Sequence, residues 1–407
     1  MLEGLLLLTI SGLALASRRK MGLANPFQIY FFIWFSVFFG YYVLRTDFIR
    51  LSNEFLMLML TVKAIAFLFL VVTYRVTPDR ANSDAGRASA FQLRGHLLLA
   101  AQVVVIAALP FVYWRAIHLA GGNDVFSALG YTKLRAAWTE GEQGFGYLAY
   151  FFILAIVVTS LRIQSYFDKT CGLLGLSVSV ATSLLYLYFS TARTFVLLFA
   201  VIVFVPLVIR GIINIRGVLV SALAVACLFV FMAAMTARGI SLGSGFSANV
   251  GAFLENLRSY TIAPVLALFS LVNTEFMLGY GLNSLRVLVG VFYSFGLTDE
   301  PPVDLIKNYE FVPNPTNVYT VYEVYFRDFY YSGLVIPPLF LLAHWWLYSK
   351  ARRVGGGWVF YYAASVYPLL MQFFQDQYFS LLSMWVQVGF WYWLFLKSDK
   401  PNKLSHA

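Results

Sequence analysis

The chain has 407 residues, of which 60% are hydrophobic, 18% aromatic and only 12% charged. Soluble domains carry about 25% charged residues, so a soluble globular protein is excluded. The formal net charge of +10 does not point to nucleic acid, because the basic residues sit beside apolar blocks, where they act as topology signals and lipid contacts. Those blocks are long enough to cross a hydrocarbon core as helices. A backbone in lipid must satisfy its own hydrogen bonds, so an all-α polytopic bundle is expected. The alternating ten-residue segments of a β-barrel are not seen. Cys171 and Cys227 both fall inside apolar blocks and define no disulfide framework.

In chain order, Met1 to Ala16 is apolar, with Glu3 in front and Arg18-Arg19-Lys20 behind. A signal peptide has its positive charges first, so a span with its N-terminus outside is predicted. Further spans are predicted at Phe27–Leu44, Phe55–Tyr74, His96–Trp114, Tyr147–Leu161, Gly172–Phe189, Thr194–Ile209 and Gly217–Met235. After a long polar stretch, Gly333–Tyr348, Trp358–Phe373 and Tyr378–Leu396 bring the expectation to about 11 transmembrane helices. Lys and Arg concentrate in the short segments on one side, which sets the C-terminus inside and the long stretch outside. The resulting division is 1–235 as spans with short loops, 236–332 as a large outer loop with interfacial helices, and 333–407 as spans and an inner tail. No internal repeat is visible, which weighs against a transporter built on repeated halves.

The stretch 236–332 carries Arg238, Arg258, Arg286 and Arg327 among Asp299, Glu300, Asp304, Glu310, Glu323 and Asp328. If the protein does chemistry, it is expected here. Leu254, Leu257, Thr261, Val265, Leu268 and Val272 recur at helical spacing, predicting a helix along the membrane surface that Pro264 divides. Leu285 to Phe295 is apolar but too short to span, hence re-entrant or interfacial. Pro301, Pro302, Pro313 and Pro315 make the next segment a loop. A helix is then predicted to start near Asn317, with Thr320 and Glu323 as a capping box. Tyr319, Tyr322, Phe326, Phe329 and Tyr330 fall on or near one of its faces.

The string Asn317-Val318-Tyr319-Thr320, followed by Tyr325-Phe326-Arg327-Asp328-Phe329 and Gly333, resembles the signature of the Wzy-type O-antigen polymerases, the bacterial oligosaccharide repeat-unit polymerases. That family shows Asn-x-Tyr-Thr, then an aromatic and Asp-Phe-Gly-x-x-Gly. Thr191-Ala192-Arg193-Thr194 similarly resembles the family's Gly-Ser-Arg-Thr turn between two spans. This chain departs in having Thr191-Ala192 for Gly-Ser and Tyr330 for the first Gly. The resemblance implies a GT-C-like polymerase/ligase architecture in the bacterial inner membrane, with the large loop periplasmic and the C-terminus cytoplasmic. It also implies polymerisation of undecaprenyl-pyrophosphate-linked oligosaccharide repeat units, and a chain-length regulator as a partner.

Such a reaction sets two tasks. The departing pyrophosphate gains negative charge, which Arg can stabilise. The acceptor hydroxyl must be oriented and lose a proton, which suits a carboxylate. No Asp, Glu or His cluster has metal-ligand spacing, so a site with no metal or other cofactor is expected. Asp328 is the expected base and Arg193 the expected pyrophosphate contact. Arg238, Arg258, Arg286, Arg327, Arg135, Glu323, Asn317, Tyr319 and Tyr325 are the substrate-binding candidates. Structural readings stand beside these. Arg193 can snorkel to lipid headgroups, Glu323 and Arg327 can pair with each other at i,i+4, and Asp328 can anchor its helix. Lys63 and His344 lie within spans, where ionisable groups are functional suspects. A lipid-linked oligosaccharide flippase would line a cavity with charge, whereas most charges here lie outside spans. An O-antigen ligase usually carries a catalytic His motif in its outer loop, and 236–332 contains no His.

Overall fold

A computed structural model describes residues 1–18, 21, 22, 24–77, 92–140, 144–214, 216, 217, 219, 220, 223, 246–305, 307–313 and 315–397. The first eight helices are α1 (Leu2–Ala16), α2 (Pro26–Leu44), α3 (Asn53–Val76), α4 (Gly95–Leu119), α5 (Ala128–Glu140), α6 (Tyr150–Phe167), α7 (Leu173–Ser190) and α8 (Arg193–Ile209). There follow α9 (Phe246–Val272), α10 (Arg286–Ser294), the antiparallel pair β1 (Glu310–Phe311) and β2 (Pro315–Thr316), α11 (Tyr322–Gly333), α12 (Ile336–Arg353), α13 (Gly357–Met371) and α14 (Leu382–Phe395). Among the described residues, α2, α3, α4, the stretch Gly146–Phe167 and α7 are long and apolar enough to cross a membrane. The chain is built as an all-α membrane protein. α1, α13 and α14 hold only 15, 15 and 14 residues, short of the ~20 that span a hydrocarbon core untilted. The span predicted at Gly217–Met235 falls largely outside the described residues.

Helix starts follow local chemistry. Asn25 accepts from the Gln28 amide at 2.9 Å, with Pro26 at the first helical position of α2. Ser52 caps α3 in the same way through the Phe55 amide at 3.2 Å. Two sequence expectations fail. α9 runs unbroken through Pro264, and Ile262, Ala263, Val265, Leu266, Ala267 and Leu268 are all buried. The segment 262–268, buried all round, is enclosed by its unit rather than laid on a surface, and neighbouring helices can hold a proline-containing turn in place; Gly251 and Glu255, earlier in α9, are exposed. α11 starts at Tyr322, not near Asn317, and the capping box does not form. Thr320 Oγ accepts weakly from the Tyr322 amide at 3.4 Å, while the Glu323 side chain turns to Arg327.

The chain divides into two compact units, each assembled from distant segments. The first holds α1–α3 with the stretch Gly251–Ser349 and residues Ser365–Ser383. The long polar stretch thus clusters with the N-terminal helices instead of standing as a body of its own. Within this unit α1 packs on α2 and α3, and a Cβ at Gly12 would come 2.7 Å from the Phe31 ring, so only glycine permits that approach. The second unit holds α4–α8, Lys350–Ala364 and residues from Met384 onward. α6 is its centre, packed on α4, α7 and α8. Two hydroxyls of α6 are satisfied within the unit: Thr159 and Ser183 share a 2.6 Å bond, and Ser160 donates to the Ile202 carbonyl at 3.0 Å.

Candidate functional site

The first unit contains a small open cleft. Asn317, Tyr319 and Glu323 line it, together with Arg286 at the start of α10. Three residues that sequence reasoning did not select also line it: Asn283, Lys307 and Asp376. Lys307 sits in the proline-broken loop, and its Nζ donates to Asn283 Oδ1 at 3.2 Å. Burial presses the Lys307 pKa below the ordinary lysine value; Glu323 opposes that shift, while Arg327 and Arg286 add to it. Arg286 is held by its Nε bond to the Val303 carbonyl, 2.8 Å. Arg327 pairs with Glu323 along α11 and lies over the Tyr319 ring, 5.7 Å from its centroid. Burial raises the Tyr319 hydroxyl above its usual pKa, so it stays a neutral donor or acceptor.

Tyr325 reaches the cleft only indirectly, donating to Asp376 Oδ1 at 3.0 Å. Asp376 also accepts from the Ser380 and Tyr378 amides, and burial holds its carboxyl above the ordinary value. The start of α11 is pinned from beneath. Lys63 donates to the hydroxyls of Tyr322 at 2.8 Å and Tyr30 at 3.2 Å, and its Nζ lies 3.3 Å from the Trp34 ring centroid. The Val321 amide donates to the Gln372 carbonyl at 2.8 Å. His344 is engaged apart from this, with Ser365 at 3.1 Å and Tyr378 at 2.8 Å.

Asp328 does not line the cleft. It is fully buried, and four donors fill it. Asn283 gives its amide at 3.1 Å and Nδ2 at 2.9 Å to Oδ1, and Ser284 gives its amide and Oγ, both at 2.7 Å, to Oδ2. A carboxylate has about four lone-pair sites, so none is left for an acceptor hydroxyl. The expectation that Asp328 is the base therefore gives way to an anchoring role. It ties the 279–285 turn to α11 and orients the Asn283 amide, whose oxygen then meets Lys307. Gly279 makes this possible, since a Cβ there would lie 2.5 Å from both Asp328 Oδ1 and Asn283 Nδ2.

Arg258 does not reach the cleft either; it pairs with Asp47 and with Glu255 at 3.2 Å. Arg238 lies outside the described residues. Arg193 and Arg135 belong to the second unit, where α5 meets the α7–α8 turn. Arg135 donates to the Thr191 carbonyl at 2.7 Å. Both guanidinium groups act on the Tyr131 hydroxyl, lowering a pKa that burial has raised. Thr191 has φ +50°, and Tyr330 in α11 has φ +54°. No family model, curated protein or solved structure matches the chain. The chemistry of the cleft must be read from its own groups: the cations Arg286 and Lys307, the carboxylates of Asp304, Glu323 and Asp376, and side-chain amides and a phenol that can bind neutral hydroxyls.

Proposed function

We propose that this chain is a membrane-embedded glycosyltransferase that polymerises undecaprenyl-pyrophosphate-linked oligosaccharide repeat units at the periplasmic face of a bacterial inner membrane. The observation that carries the reading is the cleft, where the resembling residues Asn317 and Tyr319 meet Glu323, Arg286 and Lys307. In this scheme Arg286 and Lys307 face the donor pyrophosphate. The acceptor hydroxyl oxygen bonds to the donor's anomeric carbon as its proton passes to Glu323. The bond from that carbon to the pyrophosphate breaks, and its electron pair leaves with the lipid pyrophosphate, where the cations stabilise the charge. Asn317 and Tyr319 orient sugar hydroxyls. Asp328 and Arg327 are positioning residues, acting through Asn283 and Glu323.

Backbone geometry adds support. Thr191 and Tyr330 stand where the resembled family carries glycine, and both adopt positive φ, the region glycine enters without strain. The reading is tested by giving purified protein in vesicles lipid-linked repeat units alone, with no lipid A core acceptor. Products longer than one unit are expected. Failure to extend, with transfer only when a lipid A core is added, would replace polymerase by ligase.

A further inference from the structure

α10 adjoins the cleft through its first residue, Arg286. Its nine residues reach about 13 Å at 1.5 Å per residue, less than half a hydrocarbon core. The two faces of this helix differ sharply. One is met by the loop after it at Arg286 and Gly290, where Pro302 Cγ would lie 3.5 Å from a Cβ at Gly290 and Val303 takes the Arg286 bond, while Tyr293 and Ser294 farther along are exposed. On the other face Leu288, Val291, Phe292 and Phe295 recur at i, i+3, i+4 and i+7. All four are exposed, Phe295 at 75%, and Leu297 just beyond is exposed at 72%.

We infer that α10 lies in the plane of the membrane with this stripe immersed in lipid, holding the mouth of the cleft at headgroup depth. Two general constraints and one observation select lipid over water or protein. Contiguous apolar stripes of this kind are not left to water. A stable protein interface takes about 20–30 residues a side, and this stripe offers five. The spanning helix α2 of the same unit presents side chains of the same kind to lipid, with Phe32 at 58% and Val43 at 59% exposure. Immediately after the stripe Asp299 and Glu300 are exposed, so the chain returns to water there. The Pro302 contact at Gly290 also argues against a re-entrant helix bathed in lipid on all sides. Immersion of about 5–10 Å is what an in-plane amphipathic helix reaches. This inference stands whether or not the cleft is a glycosyltransferase site.

The test places a single cysteine at Phe295→Cys, in a Cys171→Ser, Cys227→Ser background, and labels it with bimane in lipid nanodiscs. A second label at Tyr309→Cys, an exposed loop position, reports water access. Expected is strong loss of bimane fluorescence at 295 with a nitroxide on the upper acyl chain and weak loss with iodide, the reverse holding at 309. Strong iodide quenching at 295 would overturn the inference in favour of water. Protection from both quenchers would overturn it in favour of a covering protein, and quenching strongest near the acyl terminus in favour of a re-entrant helix. Should Phe295→Cys fail to fold, Leu297→Cys carries the same reading from beyond the end of the helix.

Discussion

Glu323 and Asp328 are acids on one short helix, at 5% and 0% exposure, yet they occupy opposite chemical situations. Asp328 has every lone pair filled by Asn283 and Ser284. Glu323 faces the cleft with Arg327 holding its carboxylate. Burial alone therefore does not mark a reactive group. What separates the two is how many donors the fold already aims at each, and those aimed at Asp328 come from residues 45 and 44 positions away.

The comparison is broken most directly at Glu323. Glu323→Gln should slow extension of lipid-linked repeat units about 10²- to 10⁴-fold. Its melting temperature should stay near that of the parent, because the amide oxygen still accepts from Arg327. Unimpaired extension by this variant would remove Glu323 from proton transfer and equalise the two carboxylates.

Asp328→Ala should act the other way, on the fold. It strands four buried donors, and with each unsatisfied group costing about 1–3 kcal/mol the loss should exceed about 3 kcal/mol. Thermal melting in detergent reads this. Wild-type melting with lost extension would return Asp328 to the chemistry.

Lys307 sharpens the contrast from the cation side. Burial lowers its pKa in the folded protein, beneath the ordinary ~10.4 of lysine. Its positive charge is then lost earlier as pH rises, so affinity for inorganic pyrophosphate should fall across that window. In the same window the unfolded chain binds more protons, so the Lys307 contribution to stability rises with pH. Lys307→Arg should flatten the affinity profile, since guanidinium stays charged; calorimetric titration across alkaline pH checks it.

The smallest effect concerns the two turns at positive φ. Thr191→Gly should raise stability by about 1 kcal/mol, by relieving a left-handed β-branched residue. Tyr330→Gly should gain less, since it gives up ring contacts with Phe326 at 5.1 Å and Tyr331 at 4.4 Å. Equal gains in the two melts would mean that the Tyr330 ring contributes nothing.

By itself the sequence determined that the chain enters a membrane as helices. Apolar blocks leave no alternative for the backbone, and α1–α4, α6–α8 and α12–α14 begin and end within several residues of the predicted spans. It also selected four residues that the fold brings together, since Arg286, Asn317, Tyr319 and Glu323 line one cleft. Only the tertiary structure decided that Asp328 is occupied and Glu323 available, that Lys307 and Asp376 join the cleft, and that Arg258 is committed to Asp47. A motif lists which groups are near each other along the chain. Whether a buried group is free to react depends on donors that arrive from segments far away in sequence, and no local pattern records their arrival.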